Sequence, residues 1–230
     1  PNIIYKEINN YVKNQLNNNK LKALVTAGPT LEYIDPVRYI SNRSSGKQGY
    51  EIAKVFAENG YKTTLISGPT NLECPKDVNL IKVETADQMF DQTIRNLPAD
   101  IAVLSAAVSD FKVNNFSNLK IKKKNEIKLN LIKNIDILDY ISKHNSLRPK
   151  LVIGFSAETD NLEENSKIKL NQKNCDWIIA NDVSNKEIGF NSDFNQVSIY
   201  YKNKDKEVMP KLRKSLLAEE IVKRISKEIQ

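Results

Sequence analysis

Thr26 to Gly49 reads TAGPTLEYIDPVRYISNRSSGKQG. An apolar run, Leu21–Ala27, leads into it, and a helical pattern, Tyr50–Glu58, leads out. Strand-to-helix connections in α/β units usually take ~2–6 residues, so a connection this long is either functional or disordered. Apolar anchors at Leu31, Ile34, Val37, Tyr39 and Ile40 argue against disorder. Glu32, Asp35, Arg38, Asn42 and Lys47 add polar chemistry, and Ser44 and Ser45 stand just before the helix, where either can cap a helix over Gly46–Asn59. The stretch therefore reads as an irregular ligand-binding loop at the carboxyl end of a buried strand.

Outward from this loop, strands and helices alternate. Tyr61–Ser67, Asn79–Glu84, Asp100–Ala107, Lys150–Ser156 and Trp177–Asn181 read as strands. Helical patterns cover Ala86–Asn96, Ile135–Lys143, Asn161–Asn174 and Lys214–Ile229. DIAVLSAA at Asp100–Ala107 is the most apolar run, as expected for a central parallel strand. The rhythm predicts an α/β fold: a Rossmann-like, doubly wound, mostly parallel sheet with helices on both faces. Two segments break it. Leu119–Lys123 and Glu126–Ile132 alternate with period two and read as a two-stranded arm within about 112–133. Gly189–Tyr201 and Glu207–Met209 read as a terminal hairpin. The echo of TAGPT in ISGPT points to two similar strand ends.

The length, 230 residues, fits one large domain (21–230) with an extension. Residues 1–20 read as an amphipathic linker helix, and a start at Pro1 instead of Met suggests either an excised domain or a processed chain. No run is apolar enough to cross a membrane, and the amino terminus has no signal-peptide pattern, so the expected compartment is cytoplasmic. Two cysteines and one histidine leave little room for a zinc site or a disulfide framework. The net charge of +7 points to an anionic partner. Lys112, Lys120, Lys122, Lys123, Lys124, Lys128 and Lys133 crowd the arm. A nucleic-acid module is one option, but only Phe111 and Phe116 lie near for base stacking.

Several familiar devices are missing. No G-x-G-x-x-G follows the first strand and no acidic residue closes the second, which disfavours a dinucleotide-dependent oxidoreductase. Gly46-Lys47 is followed by Gln48, and Ser41 stands five residues before Gly46, so this is no P-loop. What remains suits phosphoryl or nucleotidyl transfer, which is catalysed largely by positioning and charge. Arg38, Asn42, Lys120, Lys169 and Lys173 are the candidates, the last two one turn apart on one helix face.

With those residues in view, Ala27–Gly49 resembles the signature of bacterial phosphopantothenoylcysteine synthetase. SAAVSDF (Ser105–Phe111), KIKK (Lys120–Lys123), KNIDIL (Lys133–Leu138), IGFSAET (Ile153–Thr159), ANDVS (Ala180–Ser184) and GFNSDFNQV (Gly189–Val197) follow in the family's order. The resemblance spans about 21–225. It implies a ligase that activates the carboxylate of 4'-phosphopantothenate with CTP as an acyl-cytidylate, releases pyrophosphate, and then joins the acyl group to L-cysteine with loss of CMP. It further implies Mg2+ (or Mn2+), no flavin in this chain, a homodimer whose arm contacts its twin, and in many bacteria a flavin decarboxylase fused upstream. No nucleic acid and no membrane are expected as partners.

By position, the resemblance makes Asn42 the residue that contacts and turns over the acyl-cytidylate, Arg38 the loop arginine, and Lys120 the catalytic lysine of the arm. Leu104, Ser105 and Ala106 would offer backbone groups to the nucleotide, and Asp110 a carboxylate. Asn134, Ile135, Asp136, Ile137 and Phe155 would frame the cytidine, with Lys169 and Lys173 on phosphate or ribose oxygens. The family usually has Asn-Pro-Asp-Ile where this chain has Asn134-Ile135-Asp136-Ile137; Ile does not fix φ as Pro does, which keeps ATP open as the nucleotide. Lys47 is expected to be structural or an auxiliary charge.

Overall fold

The computed structural model describes residues 20–123, 126–182 and 192–229. The expected linker helix (all but Lys20), Lys124, Asn125 and the segment 183–191 lie outside the described residues. In chain order the elements are β1 (Lys22–Ala27), β2 (Leu31–Asp35), β3 (Arg38–Ser41), α1 (Lys47–Glu58), β4 (Lys62–Ser67), β5 (Val78–Lys82), α2 (Ala86–Arg95), β6 (Ile101–Leu104), β7 (Phe111–Val113) and β8 (Leu131–Lys133). Then follow α3 (Ile137–Ser142), β9 (Leu151–Glu158), α4 (Leu162–Lys173), β10 (Trp177–Asp182), β11 (Phe194–Asn195), β12 (Val197–Tyr201), β13 (Glu207–Val208), β14 (Leu212–Arg213) and α5 (Lys214–Ile229).

An eight-stranded sheet runs β13-β12-β10-β9-β6-β1-β4-β5. The six strands from β10 to β5 are parallel, and β12 and β13 add an antiparallel edge. The expected Rossmann-like architecture is present. Both faces are covered, so strand residues alternate between two cores. Ala23, Val25 and Ala27 of β1 face one core with Ile52 and Phe56 of α1 and Leu217 and Ile221 of α5. Leu24, one residue out of phase, faces the other with Met89 of α2, Ile141 of α3 and Leu170 of α4. This double burial is why the parallel strands are near-continuous apolar runs.

The chain leaves β1 toward β4 and β5, then returns to place β6 on the other side of β1. The order reverses between β1 and β6, and in open α/β sheets the crevice at such a reversal binds ligands. The two echoing strand ends are neighbours, with Ala27 opposite Ser67. They touch so closely that a Cβ on Gly68 would lie 1.7 Å from the Pro29 carbonyl oxygen.

Three expectations need correction. The loop after β1 is not wholly irregular: β2 and β3 form an antiparallel hairpin, with Tyr33 opposite Tyr39 and a register shift at its tip. Asp35 makes the tip by accepting hydrogen bonds from the Val37 and Arg38 amides at 2.9 and 3.0 Å, a local side-chain turn that its position before Pro36 permits. Neither Ser44 nor Ser45 caps α1; the N-cap is Gly46 at φ 74, and no side chain bonds the first turn. In the arm, Leu119–Lys123 forms no strand. Among the described residues only the arm's roots pair, β7 with β8 from Phe111↔Lys133 to Val113↔Leu131. A two-stranded ribbon without a core of its own is marginal, and Ile121 is held instead by the Asp35 and Arg38 side chains of the hairpin.

Gly68→Ala is expected to lower stability by about 1–3 kcal/mol, because the β1 and β4 ends must part to admit the methyl group. Urea denaturation checks this; unchanged stability would mean the strand ends are not this close.

Candidate active site

A cavity of about 720 Å³ opens where β1 and β6 diverge. Thr26, the penultimate residue of β1, ties the two strands there. Its carbonyl accepts from the Ser105 amide at 3.2 Å and the Ser105 hydroxyl at 2.7 Å. Its own hydroxyl accepts the Ala106 amide at 3.3 Å. Thr30 repeats the device one turn on, its hydroxyl accepting the Ser109 amide at 3.0 Å. The apolar strand thereby becomes a backbone-rich wall, Leu104 to Phe111.

Asn42 crosses to this wall from the end of the hairpin. Its Nδ2 donates to the Val108 carbonyl at 3.0 Å and, more weakly, to that of Ala107 at 3.4 Å. Asn134, after β8, reaches the same wall: its amide donates to the Asp110 carbonyl at 2.8 Å and its Nδ2 to the Ser109 carbonyl at 2.9 Å. The Asn134 Oδ1 is buried without a protein partner, as is that of Asn181 at the end of β10. With Gln48 Oε1, likewise buried and unpartnered on the same cavity, these make three orphaned acceptors, which suit a ligand that brings N–H or O–H donors, since leaving them unpaired is costly.

Asp136 has two roles. Its Oδ1 accepts the Asp139 amide at 2.8 Å as the N-cap of α3, and its Oδ2 pairs with Lys173 at 2.7 Å. Burial acts against the Lys173 ammonium, but the Asp136 hydrogen bond and the charges of Asp136, Asp139 and Asp110 outweigh it, so its pKa rises above the ordinary lysine value. One turn earlier on α4, Lys169 donates to the Ser156 hydroxyl at 3.4 Å. On the opposite side Lys47 pairs with Asp193 at 2.6 Å. Lys214, the first residue of α5, is nearly buried at 7 % exposure. Burial, helped by the charge of Lys47 and opposed by Asp193, pushes its pKa down. Among the described residues the walls carry Arg43, Lys47, Lys133, Lys169, Lys173 and Lys214 against the carboxylates of Asp110 and Asp136. This excess of positive charge over a backbone-rich wall suits a polyanion.

Of the residues expected to bind nucleotide, Leu104, Ser105, Ala106, Asp110, Asn134, Ile135, Asp136, Ile137, Phe155, Lys169 and Lys173 all line this cavity, together with Asn42. Arg38 and Lys120 do not. Arg38 sits at the hairpin tip, paired with Asp35 at 2.8 Å, and Lys120 is exposed on the arm beside it. Lys47 is on the wall, ion-paired with Asp193. Lys214 was missed because, in sequence, it is only the first polar residue of a closing helix; Asn195 was missed because its two-residue strand pairs with β14 and leaves no periodicity.

Residues 18–229 match the model of the DNA/pantothenate metabolism flavoprotein C-terminal domain. The chain belongs to this family. It is 41% identical over 234 residues to the coenzyme A biosynthesis bifunctional protein CoaBC of Haemophilus influenzae, covering 100% of this chain and 58% of that protein. To its counterpart in Escherichia coli K12 it is 42% identical over 204 residues, 86% of this chain and 50% of that one. The chain thus spans about half the length of the curated relatives it matches. Among solved structures, the crystal structure of the C-terminal domain of CoaBC superposes with a TM-score of 0.75 at 36% identity, over 91% of this chain and 95% of that one. A Cab2 mutant in complex with phosphopantothenate-cysteine superposes with a TM-score of 0.72 at 19% identity, over 99% of this chain and 94% of that one, a likeness of fold.

Asp136→Asn should keep the α3 cap, since Asn caps about as well as Asp, and change stability by less than about 1 kcal/mol. The Lys173 ammonium should then titrate at lower pH, because burial remains and its nearest counter-charge is gone. An NMR titration of the lysine side chains reads this; an unmoved Lys173 would show that Asp136 does not set its charge.

Proposed function

We propose that this domain joins 4'-phosphopantothenate to L-cysteine, using CTP and passing through an acyl-cytidylate. The support is that every expected nucleotide contact except Lys120, with Asn42 added, falls on the walls of one cavity at the sheet's switch point. The likeness to CoaBC relatives agrees with this chemistry.

In the first step a carboxylate oxygen of phosphopantothenate attacks the α-phosphorus of CTP. A new P–O bond forms, the bond to the β-phosphate breaks, and pyrophosphate leaves. In the second, the cysteine amine attacks the acyl carbon, the C–O bond breaks, CMP leaves, and the nitrogen gives up a proton. Both steps need anions held together and developing charge neutralised in a fixed geometry. Lys169 and Lys173 supply counter-charge from α4, and Lys47 and Lys214 from the other wall. The 104–106 backbone lines the same cavity, with its Ser105 and Ala106 amides already bonded to Thr26. Asn42, anchored on the Val108 carbonyl, stands between the hairpin and that wall, where the acyl-cytidylate would lie. Mg2+ (or Mn2+) arriving on a triphosphate needs only one or two protein carboxylates beside the phosphate oxygens. Asp110 on the wall fits that need, and the ion would neutralise the leaving pyrophosphate.

Ile135 lies on the cavity wall where the family usually has Pro, so ATP is the second nucleotide to test. Leu119 is 79 % exposed and Phe116 50 %, and the β7–β8 ribbon has only two strands. These features support a homodimer in which the arm packs on its twin. A flavin-dependent decarboxylase, fused or separate, would act next on the product.

Pyrophosphate release should require CTP and 4'-phosphopantothenate but not cysteine. No release with CTP or ATP would overturn the assignment. Asn42→Asp should release a stoichiometric burst of pyrophosphate yet complete the ligation about 100-fold or more slowly, the scale of losing one placed donor. Normal turnover would remove Asn42 from its role.

A further inference from the structure

Asp35 is fully buried at the tip of the β2–β3 hairpin. A buried carboxylate is tolerated only when its oxygens are fully bonded. Oδ1 accepts the Val37 and Arg38 amides and closes the turn. Oδ2 does something else. It accepts the Ile121 amide at 3.1 Å and pairs with the Arg38 guanidinium at 2.8 Å. The same Arg38 Nη2 donates to the Ile121 carbonyl oxygen at 2.7 Å. One ion pair in the hairpin therefore grips both polar groups of a single arm residue, more than eighty positions away in sequence. A second tie, from the Ser117 amide to the Ile34 carbonyl at 3.2 Å, lays the arm along the same tip.

Closing the turn needs only one oxygen, and an asparagine would serve. The charge and the second oxygen of Asp35 are used on the arm. The gripped residue directly follows Lys120, which in this position does not line the cavity. We propose that Asp35 is a positioning residue for Lys120: with Arg38 it forms a clasp on the Ile121 peptide that sets the arm's rest position, and the clasp opens when nucleotide and phosphopantothenate fill the cavity. The opening rests on the ligase assignment made above; the clasp rests on geometry. Arg38 then acts through the arm and not as a catalytic residue.

Amide hydrogen exchange on the full chain tests this. Without ligand, the Ile121 amide should exchange slowly. With saturating CTP and 4'-phosphopantothenate it should exchange at least about tenfold faster, while the Val37 and Arg38 amides, held by Oδ1, do not change. In Asp35→Asn the Ile121 amide should be fast before any ligand is added. Because binding no longer has to open the clasp, the KM for CTP should fall severalfold with kcat kept within about twofold. A merely structural role predicts a lower kcat without a lower KM. Shifted amides at Asn42 and Asn134 with an Ile121 amide that stays slow would overturn the clasp and leave the ligase assignment standing. No shift at Asn42 or Asn134 with either CTP or ATP would overturn the ligase assignment and the opening with it.

Discussion

The pairing of Thr26 with Ser105 and Ala106 holds this structure's chemistry in place. Just beyond it the two strand ends stay joined through Ala107, whose amide donates to the Gly28 carbonyl at 2.9 Å and whose carbonyl accepts the Thr30 amide at 3.4 Å. From there β1 leads into the hairpin and β6 into the Ala106–Asp110 wall, and the cavity lies between that wall, the 42–49 loop and the ends of β9 and β10. Thr26 is almost fully buried, and both its hydroxyl and its carbonyl are spent on the neighbouring strand end. A polar residue there costs little, because each polar atom is paired. Two residues of the site are indexed to this junction: Asn42 and Asn134 bond carbonyls only a few residues further along the same wall.

Charge is distributed around that junction with restraint. Lys173 and Lys47 are each held by a carboxylate, and Lys214 is buried where its ammonium is disfavoured. The cavity can therefore stay folded without its ligand and still meet an anion with positive potential. Exposed pairs such as Lys47 with Asp193 contribute little to stability, so an incoming phosphate can displace the carboxylate at small cost.

Much of this was legible in the sequence, and the failures are instructive. Periodicity located the parallel strands and the long helices, because double burial writes apolar runs and stripes directly into residue order. The DIAVLSAA run led straight to the cavity wall. The β2–β3 hairpin was missed because its strands are short and its turn is built from Asp35 side-chain bonds in place of a glycine. The sequence favours Ser44 or Ser45 as the α1 cap by residue type, whereas Gly46 combines a positive φ with a site where a Cβ would crowd Thr70 and Gly28. The arm was legible as alternation, but alternation says nothing about a partner strand. Its actual tether is an ion pair in a distant hairpin, which no local pattern encodes. Lys214 owes its place to the tertiary return of α5 over α1.

The central claim is that this cavity activates a carboxylate by attaching it to a nucleoside monophosphate. Phosphopantothenate carrying a heavy-oxygen label in its carboxylate tests it most directly, with the released nucleotide products analysed by mass spectrometry after ligation to cysteine. The account predicts one labelled oxygen in the phosphate of CMP and none in pyrophosphate. Label appearing in inorganic phosphate, with a nucleoside diphosphate as the other product, would mean an acyl-phosphate route and would contradict it.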